Sequence, residues 1–180
     1  MNPQHLSKSA EWYTPQDIIE AARETMGAIH LDPASSAKAN ERVKAERYFT
    51  KSDNSLQQPW VGRVFCNPPG DPSGKLIQAF WRKLVAEFIS GRTSQAVWIG
   101  FNINQLQTLQ CCPLSPLDFS ICYPKKRLHF VPNDREPGSP THANYVCFMA
   151  NDPNHHIKFG NYFEDFGKVV LSIMPYVAAA

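Results

Sequence analysis

With 180 residues, 43% of them hydrophobic, the chain is long enough to bury a sizeable core and too short for a catalytic domain joined to a large recognition domain. A net charge of only +2 excludes a polycation, so any nucleic-acid surface has to be a local patch. Five cysteines without a Cys-x-x-Cys pair argue against a disulfide framework and against a metal site. The absence of a membrane-length apolar run, together with the polar stretch 1–10, leads to the expectation of a protein of the reducing cytoplasm that meets no membrane.

Residues 1–11 show no periodicity and are expected to form a flexible arm up to Trp12 and Tyr13. Thr14-Pro15 reads as a helix start, with threonine at the cap and proline at the first helical position. Ile18, Ile19, Ala22 and Met26 share one face of that helix, and Gly27 ends it. Ala28-Ile29-His30-Leu31 is then a short buried strand stopped by Asp32-Pro33, after which Ala34, Ser35 and Ser36 keep the chain small. Dense charges follow, with Ala39, Val43 and Ala45 allowing a short helix. Tyr48-Phe49 opens another strand, and residues 52–55 form a polar turn before Leu56.

Val64-Phe65-Cys66 is a buried strand, and the prolines of Asn67-Pro68-Pro69-Gly70 end it because they carry no backbone donor. Asn67 is thereby placed at a carboxyl edge, where ligands bind in open α/β sheets. A stiff turn there presents the Asn67 amide oxygen and the Pro68 carbonyl to one point, and two fixed acceptors suit an exocyclic amine.

A loop of breakers over 71–74 precedes the longest helix, 75–90, whose apolar stripe runs through Leu76, Ile77, Phe80, Trp81, Leu84, Val85, Phe88 and Ile89. Residues 96–101 form the next buried strand, and 102–110 a short helix with Ile103, Leu106 and Leu109 inward. Cys111 and Cys112 read as packing residues, and 119–122 as a strand. Lys125, Lys126 and Arg127 stand before Leu128-His129-Phe130-Val131, which is expected to pair with residues 144–149 across a polar loop containing Arg135. Such a basic run is either a solvated surface or a set of phosphate contacts. Phe159, Phe163, Phe166, Val169, Val170 and Leu171 suggest a last packing element.

Asn67-Pro68-Pro69 after an apolar strand resembles the (Asp/Asn)-Pro-Pro-(Tyr/Phe) motif of S-adenosylmethionine-dependent DNA amino-methyltransferases. The wider order is similar to that of phage DNA N6-adenine methyltransferases: Trp12-Tyr13-Thr14-Pro15, Leu31-Asp32-Pro33-Ala34-Ser35, Tyr48-Phe49-Thr50 with Asp53 and Leu56, Trp60-Val61-Gly62-Arg63, then Asn-Pro-Pro. Arg127-Leu128-His129-Phe130 and Ser139-Pro140 also fit, so the likeness covers most of residues 11–149. The resemblance implies a single α/β domain over 12–177, with a Rossmann-like methyltransferase sheet and flanking helices. It further implies S-adenosyl-L-methionine as cofactor, DNA as partner and N6 of a flipped adenine as the acceptor.

Carried over position by position, the resemblance makes Asn67, Pro68, Pro69 and Gly70 the catalytic stretch. Tyr13, Thr14, Pro15, Asp32, Pro33, Ala34, Ser35 and Asp53 become cofactor contacts, and Lys125, Lys126, Arg127 and Arg135 DNA contacts. Read without it, Trp12 and Tyr13 are anchors of the arm, Asp32 a turn former and Asp53 a turn residue or helix cap. The chain departs from the pattern in two places. Gly70 stands where the family has an aromatic that stacks on the extruded base, leaving Trp81, Phe101 or Tyr123 as substitutes, and residues 34–36 contain no glycine. Two competing readings follow: an inactive methyltransferase-fold protein that binds DNA or a host factor, and an N4-cytosine or RNA methyltransferase. No Pro-Cys nucleophile pair is present, which counts against cytosine C5 chemistry.

Overall fold

Val64-Phe65-Cys66 and Ala96-Val97-Trp98-Ile99 are apolar at every position, as strands must be when helices cover both faces of a sheet. In the computed structural model, which describes residues 12–70, 73–132 and 142–172, these runs form the middle of a seven-stranded sheet. The expected arm over residues 1–11, Arg135 and Ser139-Pro140 lie outside the described residues.

The chain enters through β1 (Trp12–Tyr13) and α1 (Gln16–Met26), then runs through β2 (Leu31–Asp32), α2 (Ala37–Val43) and β3 (Arg47–Tyr48). β4 (Gly62–Cys66), α3 (Lys75–Ile89), β5 (Thr93–Gly100) and α4 (Gln105–Leu109) follow. The rest comprises β6 (Ser120–Pro124), β7 (Val131–Pro132), β8 (Tyr145–Ala150), α5 (Pro153–Phe163) and β9 (Gly167–Val170). The sheet order is β3-β2-β4-β5-β8-β6-β9. β3, β2, β4 and β5 are parallel, β8 is antiparallel to both β5 and β6, and β9 is antiparallel to β6.

Alternate side chains divide the core into two layers. Val64, Cys66, Ala96, Trp98 and Met149 face Ile77, Trp81, Leu84 and Phe88 of α3, with Leu106 and Leu109 of α4 beside them. Phe65, Val97, Ile99, Val146 and Phe148 face Ile18, Ile19 and Ala22 of α1 and Phe159 and Phe163 of α5. Trp81 is fully buried, edge-on to Trp98 at 5.1 Å between ring centroids, and its indole N–H donates to the Leu114 carbonyl. It therefore belongs to the core and cannot stack on a ligand.

Several local expectations are corrected. The strand expected over 28–31 is reduced to β2, although Ile29 and His30 still bond to their neighbours through Glu46, Arg47 and Arg63. Helix α4 begins only at Gln105, so Ile103 lies in the preceding turn and is exposed, whereas Leu106 and Leu109 are buried as expected. Cys112 packs inward but Cys111 is exposed. Leu128-His129-Phe130-Val131 does not pair with residues 144–149, because both edges of β8 are already taken by β5 and β6. Only Val131 and Pro132 are extended there, and they pair with β1 instead. Of the last apolar residues, Phe159 and Phe163 lie in α5, Phe166 in the turn after it and Val169 and Val170 in the outermost strand β9, with Val170 and the following Leu171 exposed. Among the described residues no helix is long and apolar enough to cross a membrane.

Candidate active site

The carboxyl edges of β2 and β4 are neighbours, with Leu31 opposite Val64. From β2 the chain moves outward to β3 on one side, and β4 then starts the other half of the sheet through β5. Strand order reverses between β2 and β4, and at such a reversal the loops part and leave a crevice. Asp32 and Asn67 stand on its two sides. β6 runs the same way as β5, so Phe101 and the Lys125–Arg127 run leave the sheet at this same edge.

Asn67 is half-buried, Pro68 buried, and Pro69 and Gly70 exposed, so the motif climbs out of the core along its own length. The Asn67 Nδ2 donates to the Trp12 carbonyl at 2.9 Å. A carbonyl can only accept, so the amide must turn its NH2 toward Trp12 and its Oδ1 away. Among the described residues neither that oxygen nor the Pro68 carbonyl accepts a hydrogen bond. An added Cβ at Gly70 would meet nothing within 4 Å, so the space where a side chain would stand is open.

Asp32 is 3% exposed, and no cation among the described residues offsets its charge. Its Oδ1 accepts the Ala34 N–H at 3.1 Å. Burial pushes its pKa up to about 6, against the opposing pull of the Ala34 N–H and the Ser35 hydroxyl. A buried carboxylate so poorly compensated is suited to a cationic ligand. Burial, and then the charge of Asp32, hold the Cys66 thiol far above its ordinary range, so Cys66 is an inert core group.

Pro15, rather than Thr14, occupies the cap position of α1 and makes no side-chain cap bond. Pairing of Tyr13 with Val131 keeps the chain extended one residue longer than the cap reading assumed, and Pro15 itself is extended at φ −53° and ψ 142°. Thr14 is buried, and its hydroxyl has no partner. An unsatisfied buried hydroxyl is costly unless something else bonds it.

The loops after β2 and β3 are joined by Phe49 N–H to Asp32 carbonyl and Ser35 N–H to Phe49 carbonyl bonds, each 2.9 Å. Between them Ser35, Ser36, Thr50, Lys51 and Ser52 line an open depression of about 450 Å³. Asp53 is exposed, and its Oδ2 accepts both the Thr50 N–H and hydroxyl at 2.6 Å, which holds its carboxyl below the ordinary value. The cap reading thus describes Asp53, which shapes the turn that walls the depression.

Lys125, Lys126 and Arg127 are exposed. The segment after them is tied over the site by Asn144, which accepts the Leu128 N–H at 2.8 Å and donates to the Phe101 carbonyl at 2.6 Å. It then enters β7 and pairs with β1, whose Trp12 carbonyl holds Asn67. Sequence reasoning missed this β1–β7 ribbon and Asn144. The only local signal was the Trp12-Tyr13 aromatic pair; a lone asparagine between a loop and a strand carries none.

The family model described as DNA N-6-adenine-methyltransferase (Dam) matches residues 4–152. No curated protein and no solved structure matches the chain. The matched span holds β1, Asp32, Asn67, the basic run and β8. With 4–152 of its 180 residues matched, the chain belongs to the DNA N-6-adenine-methyltransferase (Dam) family.

Proposed function

We propose that the chain is an S-adenosylmethionine-dependent DNA methyltransferase of Rossmann-like fold, acting as one domain over residues 12–177 on N6 of an adenine extruded from the duplex. The observation that carries this reading is the aimed amide of Asn67: Nδ2 donates to the Trp12 carbonyl, which turns Oδ1 away from it, with no donor to Oδ1 among the described residues. An exocyclic amine on an aromatic ring is a poor nucleophile, because its lone pair is delocalised into the ring. Asn67 Oδ1 and the Pro68 carbonyl, accepting its two hydrogens, draw the nitrogen toward tetrahedral geometry and direct the lone pair out of the ring plane. Neither acceptor is a base, so the proton that N6 loses passes to solvent.

The residues present fit the cofactor. Asp32 offers a buried carboxylate for its ammonium, Thr14 an unpartnered hydroxyl, and the depression lined by Ser35, Ser36, Thr50, Lys51 and Ser52 room for its nucleoside, while Tyr13, Pro15, Pro33, Ala34 and Asp53 are neighbours in sequence that we assign to the same cofactor site. When bound, S-adenosylmethionine supplies an electrophilic methyl group. The chain's part is to hold the amine in line with it and to offer the ammonium a carboxylate that its burial leaves without a counter-charge.

Incubating DNA with the protein and labelled cofactor, followed by mass spectrometry of the nucleosides, tests the reading. Label is expected in N6-methyladenine. Label in N4-methylcytosine would reverse the base, and label in neither, with cofactor demonstrably bound, would favour the inactive or RNA-directed readings that the bare Gly70 supports.

DNA reaches the crevice past Lys125, Lys126 and Arg127, which we assign to phosphate contacts. Replacing all three by glutamine is expected to weaken binding across all sequences and to flatten the log–log salt dependence by up to about three. An unchanged slope in a binding titration over a salt series would return them to ordinary surface.

A further inference from the structure

An extruded base is held by stacking as well as by hydrogen bonds, and position 70, next to the open acceptors, has no side chain to offer. Another group of rings stands at the same edge. Phe101 follows β5, and its ring lies 6.4 Å from Trp12, 5.1 Å from Phe130 and 5.3 Å from His142.

The pleat places this group beside Asn67. Phe65 and Val97 are paired across β4 and β5 and face α1, so Asn67, two residues beyond Phe65, and Phe101, four beyond Val97, continue on that face. Trp12 joins the two, since its carbonyl holds the Asn67 amide and its ring contacts Phe101. Trp12 and Phe101 remain partly exposed and His142 exposed, so aromatic surface is left at the crevice, whereas Phe130 closes the group from below at 5% exposure. The other two candidates are worse placed. Trp81 is fully buried on the opposite face, and Tyr123 lies in β6, with β8 between its strand and β5.

We propose that Trp12, Phe101 and His142 form the platform on which the extruded base stacks, in place of a side chain at position 70. The proposal rests on the methyltransferase reading above. It assigns Trp12 two roles, holding Asn67 through the backbone and supporting the base through the ring.

The test uses the full chain, total adenine-unmethylated DNA and labelled S-adenosylmethionine, with cofactor affinity measured in parallel. Phe101→Leu keeps an apolar contact with Phe130 but removes the ring. It is expected to lower methyl transfer about ten- to a hundredfold with cofactor affinity unchanged, whereas Phe101→Tyr stays near wild type. Gly70→Tyr, which the open space around position 70 admits, is expected to restore most of the rate when added to Phe101→Leu. His142→Ala, at an exposed position, supplies a variant whose folding is not in question, with a loss of about fivefold expected.

Transfer by Phe101→Leu within about threefold of wild type would overturn the platform. So would a Phe101→Tyr variant as poor as Phe101→Leu, which would make the ring a packing group, or a His142→Ala variant equal to wild type. A wild-type chain that binds cofactor and methylates no DNA overturns the functional reading itself, and the platform with it.

Discussion

Asn67→Ala is expected to lower methyl transfer by about a hundred- to a thousandfold while cofactor affinity changes little. The lost oxygen acts on the target amine, whose charge and geometry change in the transition state, and not on the cofactor. Asn67→Asp separates the two jobs of the side chain. It keeps an acceptor toward the crevice but faces the Trp12 carbonyl with oxygen instead of NH2, so the tether becomes a repulsion. Its rate is expected to lie between wild type and alanine. Single-turnover transfer from labelled cofactor, with near-ultraviolet circular dichroism to establish folding, measures all three. A folded alanine variant that keeps most of its activity would remove Asn67 from the mechanism.

Asp32→Asn is expected to act in opposite directions on stability and on cofactor binding. Its folded pKa of about 6 lies above the ordinary 3.8, so the folded chain retains a proton that the unfolded chain releases. The group's stabilising contribution is complete below about pH 4 and is lost as pH rises through 6. At pH 7.5 the ionised, buried carboxylate then costs the free protein roughly 2–3 kcal/mol. Asparagine preserves an acceptor for the Ala34 N–H without the charge, so the melting temperature of the free protein is expected to rise by several degrees.

Cofactor affinity is expected to fall by at least about tenfold in the same variant, because the carboxylate no longer meets the ammonium. In the wild type, affinity is expected to weaken as pH falls through about 6 and Asp32 takes up its proton. Calorimetric titrations between pH 5 and pH 8 and thermal melts of both proteins check these outcomes. A flat pH profile, or an asparagine variant that binds as tightly as wild type, would place the ammonium elsewhere.

Where each feature is determined follows from its range along the chain. Helix α3 was legible because apolar residues recur at three- and four-residue steps over four turns, a signal internal to the segment. The strand leading to Asn67 was legible because two prolines stop the ladder wherever they occur. The place of Asp32 at a buried strand tip was legible for the same reason, with Pro33 next to it.

Pairing between distant two-residue segments was not legible. β1 and β7 are each too short to show alternation, and they meet only because β8 has no free edge for residues 128–131. Thr14 likewise loses the cap position it would hold in an isolated peptide because Tyr13 pairs with Val131, and Ile103, whose N–H bonds to the Ala143 carbonyl, is left outside α4. Neighbouring residues thus determined that an amide and a carbonyl stand at the end of β4. Only the folded chain decided where the amide points, because its NH2 donates to a carbonyl 55 residues away, held in place by the β1–β7 ribbon.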